Sequence, residues 1–396
     1  MSRAQRIAFV CPRFSEQGTI GGAETLLKAL AERAAADGRE VDFLTTCATD
    51  HFTWTNTIPP GTHTFGKLRV TFFPVNEDRD AGKFLEIQQR ISHHQPVTRA
   101  DEETWINHSV NSRHLIEHLE RHRADYDCIV TGPYLFGITW FASQVAPKKT
   151  LLVPCLHDES FAYLSIMRDM FHHVGGFIFN TAPERALAER LYDTGEQGAV
   201  VGFGLDDFTV DPQAFARRHN ITQPYVLYSG RREPLKGTPL LTEYLHVFRQ
   251  RTGRDIRLVF TGSGPIEAPA EMNEAILDVG FVSEQEKHEA MAGAVCFIHP
   301  SVNESLGIVL LESWLAGVPA IVHAKGEVLR DQCLRSGGGL WFKVYPEFEE
   351  CLLRLLDDVD LRQRLGASGR SFVREVYSWP AVEQRLFAAL DGIVAS

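Results

Sequence analysis

Two carboxylates in an E-x7-E arrangement, Glu304 and Glu312, follow an apolar run, VCFIHPS (295–301), that reads as a buried strand. Asn303, Glu304 and Ser305 fall where a helix should begin. The backbone N–H groups of Leu306, Gly307 and Ile308 are then unpaired at that helix start. Such a start carries about half a positive charge and takes an anion, and Gly307 keeps the approach open. Glu304 stands at the mouth, where it can accept hydrogen bonds from sugar hydroxyls. Glu312 lies ~9 Å beyond Leu306 along the helix at ~1.5 Å per residue, and its side chain leans back toward the N-terminus. It sits among Leu310, Leu311, Trp314 and Leu315. A carboxylate in apolar surroundings needs a partner, and the two hydroxyls of a ribose would supply one. The plainer reading makes Glu304 a helix-start charge and Glu312 a solvent-face residue.

A second polar group follows the run YVLYSG (225–230). The loop SGRREPLKGTP (229–239) carries Arg231 and Lys236, with Gly230 and Gly237 permitting a tight turn. An Arg fork and a Lys point charge at the end of a parallel strand suit a diphosphate; solvated surface charge is the alternative. Thr238 and Pro239 read as the N-cap and first residue of the next helix. In TGSGP (261–265), Gly262 would let backbone approach a ligand, and an ordinary strand-to-helix turn explains it as well. In the first half, VPCLHDESFAYL (153–164) ends an apolar run in His157 and Asp158. His157 can donate to a sugar hydroxyl or be a satisfied core histidine, and Asp158 reads as a helix N-cap. Gly21 and Gly22, in SEQGTIGGAE (15–24), open the first long helix; their amides would close over phosphates, or the loop merely links strand to helix.

The elements that must position these residues alternate along the chain. RIAFVCP (6–12), a helix over 21–38 and EVDFLTTC (40–47) make a βαβ opening, which implies a parallel sheet with right-handed crossovers. Further strands are expected at 68–75, 126–132, 150–157 and 175–181, with a polar excursion over 76–104. The rhythm restarts with strands at 225–230, 256–262, 275–282, 295–301 and 318–324 and helices at 238–251, 284–293 and 305–317. Three helices, 346–358, 360–378 and 380–394, close the chain. GFGLDDFTV (202–210) reads as the linker. The organisation is α/β: domain 1–204, domain 205–378 and a terminal helix 379–396. Open α/β sheets bind ligands at strand C-termini, so two such units would face each other across a cleft.

The bulk numbers bound the function. The 396 residues fit two domains of about 200 each. The formal charge of −11 is spread over both halves and gives no basic footprint for nucleic acid. Seven cysteines without C-x-x-C, mostly in apolar runs, read as buried thiols in a reducing compartment. Ile7 to Cys11 is too short for a signal h-region and no stretch approaches a membrane span, so a cytoplasmic protein is expected. Asp125-Tyr126-Asp127 and Asp358-Val359-Asp360 match a metal-binding D-x-D pattern, and His114, His118 and His122 recur at zinc-like spacing. The acidic pairs lie away from the catalytic edge, and the histidines, lacking a nearby Cys or carboxylate ligand, read as a solvated helix face. With Arg113, Arg121 and Arg123 that helix offers weak peripheral contact to an anionic membrane, at its inner face, or to an acceptor.

Together these residues resemble the retaining GT-B glycosyltransferases, family 4 of the glycosyltransferase classification, along nearly the whole chain. GGAE (21–24), His157-Asp158, G-R-x-x-x-x-K-G (230–237), Glu304-x7-Glu312 and the ending SWPAVEQRL (378–386) stand in the family's order. The resemblance implies two Rossmann-like domains with the C-terminal helix crossing back to the first. It implies transfer from a UDP- or GDP-linked sugar to a glycan or lipid-linked acceptor, in surface polysaccharide or glycoconjugate synthesis, with retention and without a catalytic metal or cofactor. Arg231 and Lys236 would hold the diphosphate with Gly21 or Gly22, and Glu312 the ribose. Glu304 and His157 would contact the transferred sugar. Gly262, Ser305, Leu306, Gly307 and Ile308 would line the donor, and backbone near Phe281 and Val282 would read the base. Glu304 is not expected to be a nucleophile. Arg232 stands where the family usually has an apolar residue, and Ser305 and Leu306 where glycine and an aromatic are commonest; this bears on the sugar's identity. An epimerase-like GT-B enzyme and a catalytically silent nucleotide-sugar-binding protein are the competing functions. A nicotinamide dehydrogenase would need G-x-G-x-x-G after the first strand, which is absent.

Overall fold

The computed structural model describes residues 4–16, 21–195 and 197–395. The chain divides into two compact units, residues 1–203 with 382–396, and residues 204–381.

The first unit contains β1 (Arg6–Val10), α1 (Gly22–Ala36), β2 (Glu40–Thr46), β3 (Gly61–Phe65), β4 (Leu68–Phe73), α2 (Ala81–Ser92), α3 (Arg99–His108), α4 (Arg113–His122), β5 (Cys128–Thr131), α5 (Gly137–Val145), β6 (Thr150–Leu152), α6 (Ser165–His173), β7 (Gly176–Phe179), α7 (Ala182–Tyr192) and β8 (Ala199–Val200). Its eight strands run in the order β3-β4-β2-β1-β5-β6-β7-β8. All neighbours are parallel except the β3–β4 hairpin. Central strands such as β5 are buried throughout because helices cover both faces, hence their continuous apolar runs. Ala8, Val10, Leu44 and Ile129 pack with Leu115, Leu119 and Ile138. Leu152, Phe177 and Phe179 pack with Met167, Met170 and Phe171. The polar excursion resolves into α2 and α3.

The second unit contains α8 (Ala214–Arg218), β9 (Tyr225–Ser229), α9 (Thr238–Thr252), β10 (Arg257–Thr261), β11 (Ile276–Asp278), α10 (Glu284–Ala292), β12 (Cys296–His299), α11 (Ile308–Leu315), β13 (Ala320–His323), α12 (Glu327–Ser336), β14 (Gly339–Phe342), α13 (Tyr345–Asp357) and α14 (Val359–Val376). Its sheet is wholly parallel, in the order β11-β10-β9-β12-β13-β14. The order reverses between β9 and β12, the position at which open α/β sheets place their ligands. The loops that leave those two strands are the loops of Arg231, Lys236 and Glu304. The core joins Val226, Tyr228, Phe260 and Ile298 to Leu241, Leu245 and Phe248 of α9 and Phe348 and Leu352 of α13.

The last helix, α15 (Trp379–Ala395), belongs to the first unit from Val382 onward. Arg385 donates to the Val201 carbonyl at 2.9 and 3.1 Å, and Gln5 to that of Leu390 at 2.9 Å.

Candidate active site

The loop after β9 and the loop after β12 meet through one ion pair. Lys236 Nζ lies 2.7 Å from Glu304 Oε1. Gly237, at φ 73°, lets this contact form: a Cβ there would stand 2.9 Å from the Pro300 carbonyl oxygen. Beneath Glu304, His299 Nε2 is 3.6 Å from the same carboxylate oxygen. His299 is buried, its Nδ1 has no hydrogen-bond partner, and burial lowers its pKa to about 4, so the ring is neutral at ordinary pH. Arg231 points outward; its guanidinium is 60% exposed and stands 3.8 Å from Glu233. Its carbonyl accepts from the Tyr228 hydroxyl at 2.6 Å, which fixes the backbone and leaves the charged end movable.

Arg232 does the opposite. It is buried and donates to the carbonyls of Gly264 at 2.8 Å and Gly262 at 3.2 Å, and to both oxygens of Asp278 at 3.1 Å. The residue that departs from the family's apolar preference thus ties three strand-end loops together. Gly262 serves the same packing: a Cβ there would meet the Gly230 carbonyl oxygen at 2.2 Å. The loop-to-loop contact therefore requires that glycine before any ligand approaches it.

Helix α11 begins at Ile308 rather than near Ser305, with Gly307 as its N-cap at φ 81°, ψ 58°. The N–H groups of Leu310 and Leu311 bond back to the Gly307 carbonyl at 2.9 and 3.3 Å, so the helix start offers those of Ile308 and Val309; Leu306 precedes the helix and is buried. A Cβ on Gly307 would come within 2.5 Å of Leu329 Cδ2. Likewise Gly237, not Thr238, caps α9, so Thr238 is the first helical residue and Pro239 the second. The strand expected over 275–282 ends at Asp278; Phe281 is exposed and Val282 half-buried just before α10. Ser305 is half-buried between Glu304 and Leu306.

Glu312 is buried, not on a solvent face. Its Oε1 accepts from Lys287 Nζ at 2.9 Å, and its Oε2 has no partner. Lys287 also reaches Glu284 Oε2 at 2.7 Å. Burial raises the Glu312 pKa and Lys287 pulls it back. Glu284, His288 and Glu312 bring ligand atoms within 4.8 Å of one another. The ammonium of Lys287 already supplies the positive charge between the two carboxylates, which opposes a second cation there.

In the first unit, His157 is partly exposed, with Nδ1 3.7 Å from Glu159 Oε1. The same oxygen accepts from the Tyr134 hydroxyl at 2.8 Å. Asp158 caps no helix; it pairs with Arg190 and accepts from the Tyr163 hydroxyl, each at 2.7 Å. Gly21 caps α1 in extended backbone, and a Cβ on it would collide with the Glu24 carboxylate, which is paired with buried Arg13. A Cβ on Gly22 would meet nothing within 4 Å, so packing does not explain that glycine. Gln17 to Ile20 of this loop lie outside the described residues. On α4, the His118 and His122 rings lie 4.5 Å apart, tilted at 41°, Arg113 pairs with Asp78, and Arg121 donates to the Glu117 carbonyl. Asp358 caps α14 and Asp127 accepts from the Arg6 N–H, so both acidic pairs have structural work. Among the described residues no helix is long and apolar enough to cross a membrane.

Residues 210–372 match the family model "Glycosyl transferases group 1". The second unit is a group 1 glycosyl transferase domain. Among curated relatives, the chain is 28% identical over 178 residues to the GDP-mannose-dependent monoacylated alpha-(1-6)-phosphatidylinositol monomannoside mannosyltransferase of Corynebacterium glutamicum, covering 42% of this chain and 46% of that protein. It is 28% identical over 174 residues to the alpha-D-kanosaminyltransferase of Streptomyces kanamyceticus, covering 41% and 44%. These alignments span less than half of either relative. Among solved structures, sucrose-phosphate synthase from Thermosynechococcus elongatus superposes with a TM-score of 0.74 at 18% identity over 99% of both chains. Anabaena HepE in complex with UDP and glucose gives 0.68 at 14% over 98% and 100%. The fold of the whole chain is GT-B, with two Rossmann-like units.

Three residues that matter around the group 1 domain and its companion unit were not singled out by sequence. His299 was visible as the last residue of a strand. Lys287 lies in a charged helix, EQEKHEAM, that reads as solvated surface. Glu184, buried in α7, accepts from the N–H groups of Leu156 at 2.7 Å and Asn180 at 2.5 Å, holding the segment that leads into His157. Its spacing from Thr181, the α7 N-cap, is the T-x-x-E of a capping box and could have marked it.

Proposed function

We propose that the protein is a retaining glycosyltransferase that moves a hexose from a nucleoside diphosphate donor to a glycan or lipid-linked acceptor. The observation that carries this is the convergence of Lys236, Glu304 and the α11 N-terminus where the strand order of a group 1 domain reverses. Lys236, the movable Arg231 and the helix start stabilise the departing diphosphate. Glu304, relieved of Lys236, accepts from hydroxyls of the transferred sugar. Glu312 takes the ribose. The first unit receives the acceptor. In this reading Lys236, Arg231 and the backbone of the helix start supply the positive charge at the diphosphate, without a metal ion. One relative is named as GDP-mannose-dependent and one fold neighbour holds UDP and glucose, so both nucleotide series are to be tried.

The test is a titration with UDP, GDP, ADP and TDP and their sugar conjugates in the presence of a chelator, following melting temperature, with Glu312→Ala alongside. Stabilisation by one series that is weakened in Glu312→Ala supports the donor site. No shift at millimolar ligand overturns it. Incubation of the donor without acceptor separates transfer from epimerisation, and the anomeric configuration of the product reports retention.

A further inference from the structure

We infer that Lys287 is a positioning residue for the donor: it holds Glu312 ionised and turned so that only Oε2 is left to receive the nucleotide's pentose. This rests on the reading of Glu312 as the ribose-binding carboxylate.

The geometry is asymmetric. Oε1 is taken by the Lys287 ammonium at 2.9 Å, while Oε2 is buried and without a partner. A buried carboxylate oxygen left unpaired is costly, and a bound hydroxyl would satisfy it. Lys287 is held from the other side by Glu284 at 2.7 Å, so the ammonium is fixed between two carboxylates. The charged groups acting on Glu312 come from α10: Lys287 and Glu284, with His288 beside them. His288 stacks on Phe208 at 3.6 Å and is held neutral by burial, its pKa lowered to about 4. Among the described residues, Lys287 is thus the one cation that favours the Glu312 carboxylate. Burial alone would lower the Lys287 pKa, but Glu312 and Glu284 raise it overall, so the ammonium persists at neutral pH.

Removing that ammonium leaves burial and Glu284, and both favour the protonated form of Glu312. A neutral carboxyl accepts a hydroxyl's hydrogen bond more weakly than a carboxylate does. Nucleotide binding in Lys287→Met would then require loss of a proton. Affinity should rise about tenfold per pH unit until the carboxyl ionises.

The experiment measures calorimetric Kd for UDP and GDP from pH 6 to 9 in the wild type, Lys287→Met and Lys287→Arg. Infrared spectra of the unliganded proteins are recorded with Glu312→Gln to assign the carboxyl band. Expected are a wild type whose affinity changes little with pH and a Lys287→Met variant weakened at least tenfold at pH 7 that recovers toward pH 9. The arginine variant should behave like the wild type. A protonated-carboxyl band should appear in Lys287→Met at neutral pH and vanish when Glu312→Gln is added. Equal weakening at every pH, tighter binding, or no new carboxyl band would overturn the role of Lys287. Failure of the wild type to bind either nucleotide would instead overturn the donor reading, while the infrared comparison still decides what Lys287 does to Glu312.

Discussion

Lys236 and Glu304 neutralise each other at 2.7 Å until something more negative draws the lysine away. In the proposed function a diphosphate would do so, and its arrival would turn the carboxylate from the lysine to the sugar. The pair therefore keeps two opposite charges from standing unpaired in a half-buried site, where leaving one partner alone is costly. Lys236→Ala would remove the proposed contact to the leaving diphosphate and take the ammonium away from Glu304, which stands 3.6 Å from a neutral His299. We expect a loss of about 2–5 kcal/mol in transition-state stabilisation, read from kcat/KM. Lys236→Arg should retain more activity than Lys236→Ala, because charge is kept while the point geometry is lost. Equal activity of Lys236→Ala and wild type would remove Lys236 from the diphosphate site.

At the scale of elements, α7 carries a titratable anchor. Burial pushes the Glu184 pKa up to about 8, against N–H groups of Asn180 and Leu156 that pull it down. The folded state then binds a proton that the unfolded chain has already lost. Its contribution to stability is complete below the ordinary carboxylate range and is lost as pH rises through about 8. Urea unfolding should show stability declining between pH 5.5 and 8, by at most about 1.4 kcal/mol per pH unit. Glu184→Gln should flatten that slope and cost about 1–3 kcal/mol, since an amide cannot accept from both N–H groups. An unchanged slope in Glu184→Gln would assign the pH dependence elsewhere. Whether an element was legible in the sequence followed from its burial. Strands covered on both faces, such as β5 and β9, announced themselves as apolar runs. The edge strand β3 did not, because GTHTF has three exposed central residues. β14 did not, because two of its four residues are not buried. Arg231, Lys236, Glu304 and Glu312 were legible as residues on loops and a helix. Their pairings were not: which cation meets which carboxylate depends on strand order, which periodicity does not encode. Lys287 illustrates this, since only the packing of α10 beside α11 turns a surface-like lysine toward Glu312.

At the scale of the whole molecule, the two units have separate sheets and separate cores, and the proposed donor residues Arg231, Lys236, Glu304 and Glu312 all lie in the second. A ligand that binds only the native state stabilises by about 2.7 kcal/mol at a hundredfold excess over Kd. That gain acts first on the local openings of the segments it touches. Hydrogen exchange with saturating nucleotide should therefore gain protection in residues 229–239, 284–288 and 299–312. These segments are joined to one another by the Lys236–Glu304 pair and by the Lys287–Glu312 pair. The β4–β2–β1 side of the first sheet, whose amides are already paired in buried strands, should change little. Protection confined to residues 4–203 would place the nucleotide on the first unit and remove the donor assignment from the group 1 domain. Protection in the second unit that survives Glu304→Ala but fails in Glu312→Ala would divide the site further. It would show that the nucleotide is held through its pentose and that Glu304 acts only on the sugar.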